Sequence, residues 1–205
     1  MNESVNRVIL VPDTIGAAFE GGFYGGKIQS REKTYAVIWA PKAQGETRGV
    51  WLGSYTSLPG AASCYHSMDN TSALLEAGSP LAKWARGLEI NGFSDWCVPA
   101  RDVLELAYRY LKPSDAENER SFRDGDNASS IPVGYPYSAE LPAQTTVEDF
   151  RAGNTEAFDE AWYWSSTQYS DSDAFLQNFD NGNQSDSLKK YEGRCRAVRL
   201  IQLSA

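Results

Sequence analysis

Aromatic and β-branched residues cluster in short stretches of this chain, with polar residues between them, and this pattern predicts β-strands. The clearest stretches are residues 34–40 and 49–55 in the first third of the chain and residues 162–167 and 194–201 near its end. A four-residue apolar run at 8–11 predicts one more short strand. A sheet built from these segments has to bring together parts of the chain that are far apart in sequence.

Three helices are predicted between the early and the late strands. Residues 71–76 follow Asp69 and Asn70, either of which suits a helix N-cap. Residues 80–88 begin with proline in the first turn, and residues 101–111 end shortly before another proline. In the last two helices apolar residues recur three and four positions apart, so each helix presents one face to a core. We expect these two helices to pack on a single sheet formed by the strands near Thr34, Trp162, Phe175 and Arg196.

The apolar phase of each element also predicts which large side chains are buried. Residues 112–160 lack such a phase and contain four prolines, so we expect an ordered excursion over the surface, with a short helix at 156–161. The side chains expected in the core are Trp84, Trp96, Leu104, Trp162, Trp164 and Val198.

The segment from 168 to 186 is the best candidate for a recognition surface. Strand alternation places Phe175, Gln177 and Phe179 on one face, which we expect to be core, and leaves the other face exposed. Asn181 and Gly182 favour a tight hairpin turn. Short amides and carboxylates beside apolar side chains suit contacts with sugar hydroxyls, whereas the alternative is a solvated hairpin. The predicted ligand-binding residues are Gln168, Tyr169, Asp171, Asp173, Leu176, Asn178, Asp180, Asn181, Asn183 and Asp186.

Charge and hydropathy exclude two classes of partner. The 205-residue chain carries a formal net charge of −8 at pH 7, which argues against nucleic acid, since lysine and arginine dominate affinity for phosphates. No apolar stretch approaches the roughly 20 residues that span a bilayer, and the start of the chain lacks a signal-peptide core. We therefore expect no nucleic acid partner, no membrane insertion and synthesis in the cytoplasm.

Neither a cofactor nor a metal is predicted. Cys64, Cys97 and Cys195 are widely spaced and form no CxxC pair, so we expect reduced thiols, with one disulfide of unknown pairing as the alternative. Asp180, Asn181 and Asp186 carry oxygen atoms that suit calcium, but such residues are more typical of turns.

Catalytic residues are not predicted either. His66 is the single histidine, so it would have to serve as the base for any serine nucleophile. Asp124 and Asp126 lie in a predicted loop, where no apolar neighbour would raise the pKa of either carboxyl group. We interpret the protein as a non-enzyme, and we expect the basic residues of 189–199 to pair with Asp and Glu of preceding loops.

Several motifs resemble a known family. In chain order they are GGFYGGKI, APKAQGE, GFSDWCVPARDVLELAYRYLKP, PAQTT, FRAGNTEAF, WYWSSTQYS and RCRAVR, and the resemblance covers nearly all of the chain from Gly16 to Ile201. They resemble the Lcl C-terminal-type domain of phage tail proteins and bacterial surface proteins. Cys97 and Cys195 depart from the residues usual at those positions of the family, so any cysteine bridge would be peculiar to this chain.

The resemblance implies an α+β domain of C-type-lectin-like fold, with two helices near Trp84 and Leu106 flanking a small twisted antiparallel sheet with long irregular loops. On this basis residues 1–15 are an N-terminal strand or attachment segment and residues 16–205 are one domain. The implied function is a virion protein, a phage tail or fibre component, that binds a host-surface glycan or protein. Other virion tail proteins and further copies of the chain are its expected partners. The alternative is a purely structural collar, baseplate or capsid decoration.

Overall fold

A computed structural model describes residues 9–120 and 124–204 of the protein, and it shows an α+β architecture with two sheets and few helices. Its helices are α1 (Lys42–Gly45), α2 (Ser67–Glu76), α3 (Pro80–Arg86) and α4 (Arg101–Leu111). Its strands are β1 (Ala18–Phe19), β2 (Gly22–Ser30), β3 (Lys33–Trp39), β4 (Glu46–Val50), β5 (Ser130–Ile131), β6 (Trp162–Gln168), β7 (Asp173–Asn178), β8 (Gln184–Leu188), β9 (Glu192–Arg196) and β10 (Val198–Gln202). Two short 3-10 helices lie at Pro59–Ala61 and Glu148–Phe150.

The strands form two sheets, so the expectation of a single sheet is wrong. Sheet A has the order β1-β2-β3-β10, with β5 also paired to β2, and sheet B has the order β4-β9-β6-β7-β8. The stretch 194–201, predicted as one strand, divides at Ala197 between β9 of sheet B and β10 of sheet A. Strand alternation is continuous across such a division, which is why the sequence pattern does not reveal it.

Helix α4 lies between the two sheets and organises the largest core cluster. Ile28, Val37 and Trp39 reach it from sheet A, while Tyr163 and Phe179 reach it from sheet B. Helix α4 itself contributes Val103, Leu104, Leu106, Ala107, Tyr108 and Leu111 to this cluster. The inner face of sheet B is therefore the face that packs towards α4, and its outer face is the opposite one.

A second core cluster covers part of the outer face of sheet B. Trp164, Ala174, Leu176 and Cys195 of the sheet pack there against residues of α2, α3 and the segments around them. Those covering residues include Trp51, Leu52, Ala61, Leu74, Leu81, Ala82, Ala85 and Val98. Sheet B is thus buried on both faces over one part of its area.

The excursion from 112 to 160 contributes to the core as well as to the surface. Tyr137, Phe150 and Phe158 are buried in the cluster around α4, and Phe158 stacks on Phe179 with ring centroids 4.3 Å apart. Tyr137 also donates to Glu105 on α4 (2.7 Å). The expected helix at 156–161 is absent from the described residues, since that segment forms turns and bends. Residues 121–123 lie outside the described residues.

Several predicted bounds need correction. Helix α2 begins at Ser67 rather than 71, because Asn70 bonds the backbone of Ser63 instead of capping the helix. The strand expected at 49–55 ends at Val50. Residues 9–11 of the strand expected at 8–11 have no regular structure, and Val8 lies outside the described residues, as does most of the attachment segment 1–15.

Candidate functional site

The side chain of Gln168, the first of the predicted ligand residues, is hydrogen-bonded to other parts of the fold. Its Oε1 accepts from the backbone N–H of Leu58 (2.6 Å) and from Nζ of Lys189 (2.8 Å). Lys189 is fully buried, and burial lowers the pKa of its ammonium group, against the opposite effect of Asp171 and Asp173. Gln168 therefore satisfies a buried cation and contributes to stability.

The turn between β6 and β7 holds the next three predicted residues. Asp173 accepts from the hydroxyl groups of Ser170 (2.8 Å) and Ser172 (2.5 Å), so its carboxylate closes the turn. The backbone carbonyl of Asp171 accepts from Lys189 (2.8 Å), while its side chain is exposed. The ring of Tyr169 is exposed and packs edge-on against Phe175, with centroids 5.1 Å apart.

The loop between β7 and β8 spans 179–183 and is longer than the tight two-residue turn expected from the sequence. Asn178 Oδ1 accepts from the N–H of Asp180 (2.9 Å), and Asn181 Oδ1 accepts from the N–H of Asn183 (3.1 Å). The carbonyl of Asn183 accepts from the N–H of Asn178 (2.9 Å). These amide oxygens cap the loop's own backbone, as is typical of Asx turns.

Leu176 was expected on an exposed face, and this prediction is wrong. It is 8% exposed and belongs to the cluster on the outer face of sheet B, opposite Trp164 in the register of β6 and β7. On the face expected to be core, Gln177 and Phe179 are buried as predicted, whereas Phe175 is only partly buried. Both faces of β7 are covered here because α2 and α3 provide a cover that strand alternation cannot reveal.

Beyond this cover the outer face of sheet B is open, and there it forms a groove of about 370 Å³. We call it the outer-face groove. Trp162 (38% exposed) and Tyr191 (58% exposed) present aromatic rings to it, although Trp162 was expected to be buried. Its lining residues are Trp162, Trp164, Leu176, Ser185, Asp186, Ser187, Tyr191, Glu192 and Gly193.

Strands β6 to β9 place the side chains of the groove by alternation. Trp162 and Trp164 point to the same face, and Leu176 and Ser185 face it from β7 and β8 because they are register partners of one another and of Trp164. Asp186 is instead the partner of Phe175, so alternation puts its carboxylate on the inner face while its backbone lines the groove. Of the ten predicted ligand residues, Leu176 and Asp186 line this groove.

Several polar groups in the groove have no hydrogen-bond partner among the described residues. The hydroxyl groups of Ser185 and Ser187 are partly exposed and form no side-chain hydrogen bond within the described part of the chain. The indole N–H of Trp164 is buried and also lacks an acceptor among the described residues. It lies against Gly193, where a Cβ atom would come within 2.7 Å of Nε1, so this position requires glycine for the indole to fit. Glu192 pairs loosely with Arg48 (3.5 Å) at the exposed edge.

His66 and Ser30 meet at a second, smaller cavity of about 190 Å³. The Ser30 hydroxyl is hydrogen-bonded to Nδ1 of His66, and burial, followed by Arg31, lowers the pKa of the imidazole. Asp69, the nearby carboxylate, pairs with Arg31 (2.7 Å). Within the described residues no carboxylate is hydrogen-bonded to His66, so a Ser-His-acid arrangement is not assembled there.

Three of the five basic residues at 189–199 form the predicted ion pairs, whereas Lys189 bonds neutral oxygen atoms and Lys190 lies over the ring of Tyr55. Arg194 pairs with Glu46 (3.2 Å) and Asp159 (2.7 Å), while buried Arg196 pairs with Glu156. Arg199 pairs with Asp95. Glu46 is itself mostly buried, and desolvation raises the pKa of its carboxyl group. The sequence prediction of ion pairs with acidic residues is therefore confirmed for these three arginines.

The cysteines and the possible metal ligands add no further site. Cys64, Cys97 and Cys195 are free thiols, the last two buried, and burial raises the pKa of Cys97 to about 12. Among residues 9–120 and 124–204, no group of three or more His, Cys, Asp or Glu side chains could hold a metal ion. Over the same described ranges, no helix is both long and apolar enough to cross a membrane.

Comparison with known proteins gives little guidance. No family model matches the chain, and no curated protein matches it. Among solved structures, the protein is similar to a fimbrial protein from Bacteroides ovatus, with a TM-score of 0.42 and 13% sequence identity. This similarity covers 82% of the present chain and 35% of the fimbrial protein. A TM-score at this level assigns neither the fold nor the function.

Proposed function

We propose that the protein is a non-enzymatic, virion-associated binding domain of C-type-lectin-like fold, a phage tail or fibre component that recognises a ligand on the host surface through the outer-face groove. The virion assignment rests on the sequence motifs that resemble the Lcl C-terminal-type domain. The observation that carries the binding role is the groove itself, where two exposed aromatic rings and uncommitted polar groups meet on a rigid sheet.

Exposed aromatic rings support binding because they bury a large area at little conformational cost when a partner covers them. Trp162 lies in the first position of β6, and Tyr191 lies in the short turn between β8 and β9, where its N–H donates to the carbonyl of Leu188 (2.9 Å), so the backbone of both residues is held at the sheet. The floor beneath them is Trp164 and Leu176, which the second core cluster holds in place. Such a preorganised surface loses little freedom when it binds.

The direct test is binding of the fluorescently labelled protein to whole cells of the bacterial host. Tyr191→Ala and Trp162→Ala each remove one ring from the groove, and we expect each to reduce binding roughly tenfold or more, as truncation of a central aromatic residue usually does. Tyr169→Ala is the matched control, because Tyr169 is a similarly exposed tyrosine in the turn after β6, outside the groove. We expect this control to bind like the wild type.

The rival function is a purely structural virion protein, such as a collar, baseplate or capsid decoration. It predicts either no cell binding or cell binding that all three variants retain at wild-type strength, with incorporation into particles unchanged. This outcome would overturn the proposed receptor-binding function.

A further inference from the structure

The outer-face groove combines an aromatic wall with small hydroxyl groups. Trp162 and Tyr191 provide exposed rings on one side, and Ser185 and Ser187 provide hydroxyl groups from the edge strand β8. A ring of this kind packs on an apolar face of C–H groups, while a hydroxyl group both donates and accepts hydrogen bonds. A pyranose sugar presents both features, a C–H face and a rim of hydroxyl groups, in one rigid unit.

The charges at the groove argue against an acidic ligand. Glu192 places a carboxylate at its edge, Asp186 lines it through its backbone with the carboxylate on the inner face, and no lysine or arginine is among the lining residues. The nearby Arg48 already pairs with Glu192 (3.5 Å). Recognition of carboxylates, sulfates or phosphates usually depends on arginine or lysine, and like charges oppose association. The groove therefore suits an uncharged ligand.

The edge of β8 argues against an extended peptide that would add a strand to sheet B. The outward N–H of Gln184 already donates to Asp124 Oδ1 (2.8 Å). Asp186 places a charge in the middle of the strand, and charged residues on edge strands oppose the addition of further strands. The volume of about 370 Å³ also lies at the small-molecule end of the usual range for ligand pockets, which is roughly 300–1,000 Å³.

We propose that the ligand of the outer-face groove is a neutral saccharide that stacks on Trp162 and Tyr191 and bonds Ser185 and Ser187. This inference rests on the proposed binding function and names its ligand class. The contact surface is the open sheet face, and the polar loops at 169–172 and 179–183 lie outside it.

The deciding experiment uses host cells that bind the wild-type protein in a Trp162-dependent manner. One sample is treated with periodate, which cleaves the vicinal diols of saccharides, and another with a broad-specificity protease. We expect periodate to abolish binding and protease to leave it unchanged. Binding that resists periodate and is lost after protease treatment would identify a protein ligand, which overturns this inference while leaving the proposed binding function intact. Cell binding that does not depend on Trp162 overturns both.

A glycan array with neutral, amino and acidic bacterial saccharides tests the charge class. We expect signals on neutral saccharides, reduced roughly tenfold or more in Trp162→Ala and Tyr191→Ala and retained in Tyr169→Ala. The double variant Ser185→Ala, Ser187→Ala should weaken the same signals, and circular dichroism should show that it is folded. Signals confined to acidic saccharides, or an array without signals above those of Trp162→Ala, would contradict the assignment.

Discussion

The polar loops at 169–172 and 179–183 and the outer-face groove lie on the same sheet, but they use their polar groups in opposite ways. At the loops, Asn181 and the two end residues of β7, Asp173 and Asn178, bond hydroxyl or backbone groups of the adjoining turns. In the groove, the hydroxyl groups of Ser185 and Ser187 have no hydrogen-bond partner within the described residues. A polar segment in the sequence is therefore a poor guide to a binding surface unless its hydrogen bonds are known.

The largest effect should distinguish the floor of the groove from its wall. Trp164→Ala removes a buried indole that is 1% exposed, and we expect the free energy of unfolding to fall by about 3–5 kcal/mol. Trp162 is 38% exposed, so Trp162→Ala should cost roughly 1 kcal/mol or less. Urea unfolding of both variants measures the difference. Equal losses would show that Trp162 belongs to the core, as the sequence pattern had predicted.

The next effect concerns Gln168, which the sequence nominates for ligand contact and the structure places beside a buried lysine. Gln168→Ala leaves the N–H of Leu58 without its acceptor and removes one of the three acceptors of the buried Lys189 Nζ, so the free energy of unfolding should fall by roughly 1–3 kcal/mol. Asp171→Ala is the control, since its carbonyl bond to Lys189 is kept, and it should stay within about 0.5 kcal/mol of wild type. If Gln168→Ala leaves the free energy of unfolding unchanged and weakens cell binding, Gln168 is a ligand residue after all.

A smaller effect is expected at the loop between β7 and β8. Asn181→Ala removes the amide oxygen that accepts from the N–H of Asn183, at a cost of about 0.5–1.5 kcal/mol. Asp180→Ala, at an exposed position of the same loop, should change the free energy of unfolding by less than about 0.5 kcal/mol. Thermal or urea unfolding compares the two. A larger loss at Asp180 than at Asn181 would mean that the loop is held by its carboxylate and not by the amide cap.

Local patterns predicted the elements better than their assembly. Helix α4 has its predicted bounds, because its apolar residues recur at helical spacing and a proline follows. The division of the late stretch between β9 and β10 was not predicted, since both halves alternate in the same way and the two sheets differ only in their distant partners β4 and β3.

The proposed groove lies on strands of the predicted segment but shares only Leu176 and Asp186 with the predicted ligand residues. Alternation correctly paired Gln177 with Phe179, yet it could not show that α2 and α3 cover Leu176 from the other side. Trp162 and Tyr191 were not predicted as exposed, because an aromatic residue at the end of a strand has the same local signal whether a core or solvent lies beyond it. The one sequence feature that could have pointed to the groove is the aromatic residue at each end of the segment 162–191.

The central claim is that the open sheet face, and not the polar loops, binds the ligand. Its most direct test compares cell binding of two folded variants. The first is the double variant Trp162→Ala, Tyr191→Ala, and the second is the triple variant Asn178→Ala, Asp180→Ala, Asn183→Ala. We predict that the first variant loses binding and that the second retains it with at most a modest loss of stability. Retained binding in the first variant together with lost binding in a folded second variant would contradict the account and place the site in the loop at 179–183.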